Sequence, residues 1–199
     1  MKRTLFVQMM NSTARRLGLQ NTKYNNPHGL ADKGNLSTAA DISRLAYIAM
    51  KHPLFREIVA KEKYTTNDVI NQKGENVNYW WRNSNAMLSV EPGFRGIKTG
   101  ITTTAGPCLC CFYTHQGASV IVTLLCSKSV EHRWKEMLRI CHWATSKKNA
   151  DIAPQGREDL DKTTVKKKEV EEKKEQGEVS IILRGQEVLT SRVPPRTKE

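Results

Sequence analysis

The run Ala118-Ser119-Val120-Ile121-Val122-Thr123-Leu124-Leu125-Cys126 constrains the fold more than any other stretch of the chain. It is too short for a typical helix, and it is rich in β-branched residues. Alternation puts Val120, Val122 and Leu124 on one face and Ile121, Thr123 and Leu125 on the other. Both faces are apolar, so the strand must be covered on both sides. His115-Gln116-Gly117 supplies a turn before it, and the segment from Cys108 to Tyr113 reads as its hairpin partner.

A third strand precedes the hairpin. Gly93-Phe94-Arg95-Gly96-Ile97-Lys98-Thr99-Gly100 carries an aromatic and a β-branched residue into a lysine, a hydroxyl and a glycine, followed by Ile101-Thr102-Thr103-Thr104-Ala105-Gly106. The lysine offers fixed positive charge to a carboxylate, the threonine a hydrogen bond, and the glycine a place where another backbone can come close. Residues 94–99, 108–115 and 118–126 are therefore predicted as three adjacent antiparallel strands in sequence order.

Lys-Thr-Gly on a strand is one of three motifs of the penicillin-recognising serine enzymes, with Ser-x-x-Lys and Ser-x-Asn. The chain resembles one branch of them, the serine-type D-alanyl-D-alanine carboxypeptidases of the low-molecular-weight penicillin-binding type. The resemblance runs from about Leu5 to about Trp143 in five ordered blocks. These are Phe6-Val7-Gln8-Met9-Met10-Asn11 with Ala14 and Leu17-Gly18; Asn26-Pro27-His28-Gly29-Leu30; Ser37-Thr38-Ala39-Ala40-Asp41; Asn83-Ser84-Asn85 with Leu88; and Gly96 to Gly100 with Thr102 and Ala105-Gly106. The family's two other motifs lie upstream of the first block, and no serine here has lysine three residues later. The chain therefore reads as the C-terminal part of such a catalytic domain, without the nucleophile segment.

The fold the resemblance implies is α/β (α+β), part of the β-lactamase/transpeptidase-like class, with an antiparallel sheet flanked by helices. The helices expected to pack on it fall near 4–17, 38–50 and 130–145. Phe6, Met10, Ala14 and Leu17 space the first, which Gly18 stops. Thr38 and Asp41 suggest a capping box for the second, with Ile42, Leu45, Ala46 and Ala49 as its buried stripe and Pro53 ending it. Residues 53–60 read as a short helix, 63–70 as a strand, and 71–78 as turn-rich polar chain. Val130, Trp134, Met137, Leu138 and Cys141 space the last helix.

The division expected is 1–146 for the catalytic-domain part, 147–177 for a charged linker, and 178–199 for a short β-rich tail, a remnant of a second domain. Without the family's upstream strands, the edge at 118–126 is expected to stand unpaired and to draw in another chain. Charge is lopsided: residues 151–199 hold 11 basic and 11 acidic side chains, so the net +12 sits in residues 1–150. Such a body attracts anions of any kind, but no basic stripe with stacking aromatics marks a nucleic-acid face. Trp80-Trp81-Arg82 reads as local packing with a contact at the rim of the site.

No apolar run approaches the ~20 residues a membrane-spanning helix requires. The acid-free, arginine-bearing start imitates a transit peptide, but it matches the family's internal helix. The family is usually exported, and this chain shows no signal peptide. The five cysteines lack the paired spacing of a zinc module and read as buried thiols. Neither metal nor cofactor is expected.

The resemblance implies removal of C-terminal D-alanine from peptidoglycan peptides through an acyl-enzyme. Cell-wall-like peptides or β-lactams would be the ligands, and the missing N-terminal half or another chain a partner. Lys98 would be the catalytic charge, while Thr99, Gly100, Ile101 (through its N–H), Arg133 and His28 would contact substrate. Lys98, Thr99 and Arg133 are expected to converge on one carboxylate. The alternative is a non-catalytic descendant kept as a basic binding or assembly module.

Overall fold

The computed structural model describes residues 2–146, 178–183 and 186–192. In chain order these form α1 (Lys2–Arg16), α2 (Ala39–Ala49), α3 (Pro53–Val59), β1 (Lys63–Ile70), β2 (Asn76–Arg82), a 3-10 turn (Ala86–Ser89), β3 (Phe94–Thr102), β4 (Gly106–His115), β5 (Ala118–Leu125), α4 (Val130–Thr145), β6 (Glu178–Leu183) and β7 (Gln186–Arg192).

The doubly apolar run behaves as its pattern requires. β5 pairs antiparallel with β4, with Leu109 opposite Leu124 and Tyr113 opposite Val120. β4 in turn pairs with β3, with Lys98 opposite Cys110 and Gly100 opposite Cys108. Val120, Val122 and Leu124 join Leu109, Cys111 and Tyr113 against Met137, Cys141 and Ala144 of α4. The other face sets Cys110 and Ile121 against Ala46 of α2. The result is a sheet between two helices.

The stripe α2 turns to this sheet is only partly the expected one: Ala46 is buried and Ile42 packs beside it, as read. Ala39, Ser43 and Ala46 are buried, whereas Ile42, Leu45 and Ala49 are only half-buried. Small side chains let the helix approach the strands closely. Ser43 Oγ then donates to Thr123 Oγ1 at 2.7 Å, so a hydroxyl is satisfied inside the core. Thr38 does cap α2, accepting from Asp41 N at 3.2 Å. Asp41 does not complete the box, because its carboxylate takes Asn21 N at 2.8 Å and Thr22 Oγ1 at 2.7 Å.

Helix α1 departs from expectation more strongly. Gly18 ends it with φ +74°, and Ala14 and Leu19 are buried. Of its other apolar residues Val7 and Met10 are half-buried, while Leu5, Phe6 and Met9 are more than half exposed and form a face that does not pack on the sheet. Its anchorage is at the C-terminal half, where Asn11 exchanges 2.7 Å hydrogen bonds with the backbone of Tyr24.

Residues 76–82, read in part as polar loop, form β2 and pair with β1 as a separate two-stranded hairpin. Asn71 Oδ1 accepts from the amides of Lys73 and Glu75 and folds the turn that the polar composition signalled. The hairpin's aromatics are not packed inward: Tyr79 and Trp81 stack 5.3 Å apart on the surface, and Trp80 is 60% exposed.

The expected open edge at β5 does not exist. β6 pairs antiparallel with β5, with Val122 opposite Ile181, and β7 pairs with β6. The tail strands thus belong to the main sheet, whose order is β3-β4-β5-β6-β7, and β3 is left at one edge. The predicted linker, 147–177, lies outside the described residues.

Candidate functional site

The Lys-Thr-Gly segment sits in the middle of β3 on that outer edge. Lys98 and Gly100 are exposed, Thr99 is half-buried, and Ile101 is 62% exposed. Lys98 Nζ turns back to donate to the Thr99 carbonyl. A Cβ added at Gly100 would meet nothing within 4 Å, so the strand is open to another backbone at that point. Gly96 is the contrary case. Its φ is +106°, and a Cβ there would lie 2.8 Å from the Val59 carbonyl, which fixes β3 against the end of α3.

Three side chains of the Asn83-Ser84-Asn85 block organise the approach. Asn83 Nδ2 donates to the Lys61 carbonyl at 3.0 Å and ties the end of β2 to the segment after α3. Asn85 is buried, caps the 3-10 turn through Met87 N, and donates to Cys111 Sγ at 3.5 Å. Between them Ser84 Oγ lies 2.6 Å from Thr99 Oγ1. Ser84 is the functional candidate that sequence reasoning missed, because nothing local distinguishes its hydroxyl from a loop serine. Beside it, a groove of about 520 Å³ runs between α3 and the hairpin, lined by Ile58, Tyr64, Trp81 and Asn83 among others. Trp81 thus borders this groove and also stacks on its hairpin neighbours Tyr64 and Tyr79.

Arg133 opens α4 after the Ser129 cap, as the spacing suggested. It is 5% exposed, and its Nη1 donates to the carbonyls of Gly100 at 3.2 Å and Cys108 at 3.0 Å. The guanidinium also lies 4.1 Å over the Trp134 ring. Burial lowers its pKa from the ordinary arginine value. In this position it braces the end of the β3–β4 ladder from behind rather than facing solvent beside Lys98. His28 lies in an exposed turn where its Nδ1 accepts from Leu30 N at 3.2 Å, and among the described residues no hydrogen bond joins it to β3.

Among the described residues no group of three or more histidine, cysteine or acidic side chains could hold a metal ion, and no helix is long and apolar enough to cross a membrane. The arrangement can hold an anionic, extended ligand along β3.

Comparison with known proteins bears on this geometry. A sequence family described as D-alanyl-D-alanine carboxypeptidase matches residues 2–129. The chain is 33% identical over 138 residues to a D-alanyl-D-alanine carboxypeptidase of Streptomyces sp. (strain K15), covering 69% of this chain and 47% of that protein. It is 36% identical over 104 residues to the carboxypeptidase DacF of Bacillus subtilis, covering 52% of this chain and 25% of that one. Its fold is similar to the crystal structure of the Streptomyces K15 DD-transpeptidase, with a TM-score of 0.66 at 34% identity, over 69% of this chain and 53% of that one. It is also similar to penicillin-binding protein D2 from Listeria monocytogenes in its cefotaxime-bound form, with a TM-score of 0.55 at 28% identity, over 68% and 53% of the two chains. The chain spans about half the length, or less, of these relatives.

Proposed function

The chain belongs to the D-alanyl-D-alanine carboxypeptidase family, and from that premise we propose that it forms the substrate-holding edge of a serine-type D-Ala-D-Ala carboxypeptidase. A D-alanine-ended cell-wall peptide, or a β-lactam in its place, lies along β3 as an added strand. The observation that carries this reading is the position of Lys98-Thr99-Gly100 on the outer strand, with the Ser84 hydroxyl against Thr99.

Each residue then has a distinct task. Lys98 releases its contact with the Thr99 carbonyl and turns its charge to the ligand's carboxylate. Thr99 donates its hydroxyl proton to the same carboxylate while accepting from Ser84, a chain in which each bond strengthens the next. Hydrogen bonds to a charged group contribute about 1.5–3 kcal/mol each, enough for two of them to select a carboxylate terminus. Gly100 leaves room for the ligand backbone, and the Ile101 N–H serves as an oxyanion donor. Arg133 holds the Gly100 carbonyl and so fixes the edge. No serine among these 199 residues is followed at the third position by lysine. In this reading the attacking serine and its base are therefore not among them, and Ser84 is not acylated.

The alternative reading, a module that binds such peptides without turning them over, shares this site. Titrating isotopically labelled protein with an acylated D-Ala-D-Ala peptide tests the common part. Amide shifts should concentrate at Ser84 and 99–101, and the L-Ala-L-Ala peptide should not produce them. Equal shifts from both isomers, or none on β3, would refute the site. Release of D-alanine separates the two readings.

A further inference from the structure

Cys108 is the third residue of β4, and Cys126 follows the last residue of β5. The β4–β5 register brings them together: with Leu109 opposite Leu124, Cys108 lies beside Leu125 and one step diagonally from Cys126. The amide nitrogen of Cys126 donates to Cys108 Sγ at 3.5 Å. Since an N–Cα bond is about 1.46 Å, that sulfur is within about 5 Å of Cys126 Cα. A cross-link needs Cα atoms roughly 4.4–6.8 Å apart, and this placement is compatible with that window. Both sulfurs also flank one residue, Gly106: Cys108 Sγ is 3.6 Å from its carbonyl, and a Cβ built on it would meet Cys126 Sγ at 3.5 Å.

The pair differs from the other three thiols in access. Cys110, Cys111 and Cys141 are buried, Cys108 is half-buried, and Cys126 is exposed. The corner that carries Cys126 is held in place, because Ser127 N donates to the Pro107 carbonyl at 2.9 Å just beyond it.

We propose that Cys108 and Cys126 are a redox-responsive dithiol site that a small disulfide of the glutathione type converts to an intramolecular cross-link. Cys126, as its thiolate, attacks one sulfur of the small disulfide; that S–S bond breaks, and one thiolate leaves and takes up a proton. The Cys108 thiol then loses its proton and attacks Cys126 Sγ, expelling the second small thiol. Two electrons pass from the two cysteines to the reagent, which ends as two thiols. Burial raises the Cys108 thiol above its ordinary pKa, so the second step should quicken as the medium becomes more alkaline.

The cross-link would act on the candidate site without needing the peptide-binding reading to be right. The Cys108 carbonyl is one of the two that hold Arg133, the other being that of Gly100. Fastening Cys108 to the exit of β5 therefore stiffens the end of the ladder that carries the Lys-Thr-Gly strand. A cross-link closing a loop of this length should raise Tm by about 5–10 °C.

The test is oxidation of the full chain by oxidised glutathione, quenching with an alkylating reagent, and peptide mapping without reduction. The expected product is a monomer with a peptide joining Cys108 to Cys126 and two fewer alkylatable thiols. Cys108→Ser should leave glutathione trapped on Cys126, and Cys126→Ser should leave no adduct. Glutathione persisting on Cys126 of the unaltered chain, a cross-link between two chains, or a different pairing would each overturn the proposal. The map of the unaltered protein decides the matter even if a serine variant fails to fold.

Discussion

Replacing Arg133 by methionine separates a structural brace from a substrate clamp. The guanidinium makes two hydrogen bonds, to the Gly100 and Cys108 carbonyls, and stacks on Trp134. Bonds to a charged group contribute about 1.5–3 kcal/mol each, and a partly desolvated cation–π contact adds about 0.5–2 kcal/mol. Against this, methionine escapes the cost of burying a charge, and the carbonyl of exposed Gly100 can take water instead. Arg133→Met should therefore destabilise the protein by about 2–4 kcal/mol, read as a lower urea midpoint with unchanged slope. Amide exchange should accelerate at 100–102 and 108–109 before it does in β5. Arg133→Lys should recover part of the loss, since an ammonium can reach one carbonyl but not both. If Arg133→Met left stability within about 0.5 kcal/mol of the parent yet abolished peptide binding, the brace would be refuted and the clamp restored.

The core, the strand edge and the Glu91 carboxylate give further tests. Thr123→Val strands the Ser43 hydroxyl and should cost about 1–3 kcal/mol, while the double variant with Ser43→Ala should cost less than the sum in a thermodynamic cycle. Gly96→Ala forces a Cβ to 2.8 Å from the Val59 carbonyl and should lower the denaturation midpoint, whereas Gly100→Ala should fold normally and weaken peptide binding in the same titration. Burial alone would raise the Glu91 pKa, but hydrogen bonds from the Tyr113 hydroxyl and His142 outweigh it and hold it below 4.5. A folded-state value below the unfolded one gives stability that is present above pH 4.5 and lost as pH falls through the depressed value. Glu91→Gln should consequently flatten the acid limb of the stability curve, and parallel curves would contradict the assignment.

What the sequence revealed followed from local pattern. Strands β4 and β5 and helix α4 were legible because each writes its burial into consecutive residues, as Val120 to Leu124 do on both faces. The α2 stripe was only half read, Ala46 and Ile42 but not Ser43, because close helix–sheet packing selects for small size. Pairing across long separations left no local mark. Nothing in residues 178–192 announces that they pair with β5, and nothing in Asn83-Ser84-Asn85 announces a contact with Thr99. Spacing placed Arg133 on the first turn of α4 but did not announce its bonds to the Gly100 and Cys108 carbonyls, because spacing fixes an angle and not what fills the space in front of it.

Treating the purified chain with a fluorescent penicillin, and following both intact mass and amide shifts, tests the central claim most directly. The account predicts no covalent adduct on any serine of the chain, together with reversible shifts at Ser84 and along 99–101 that Gly100→Ala weakens. A stoichiometric acyl adduct on Ser84 or another serine of this chain, or shifts confined to a surface away from β3, would contradict it.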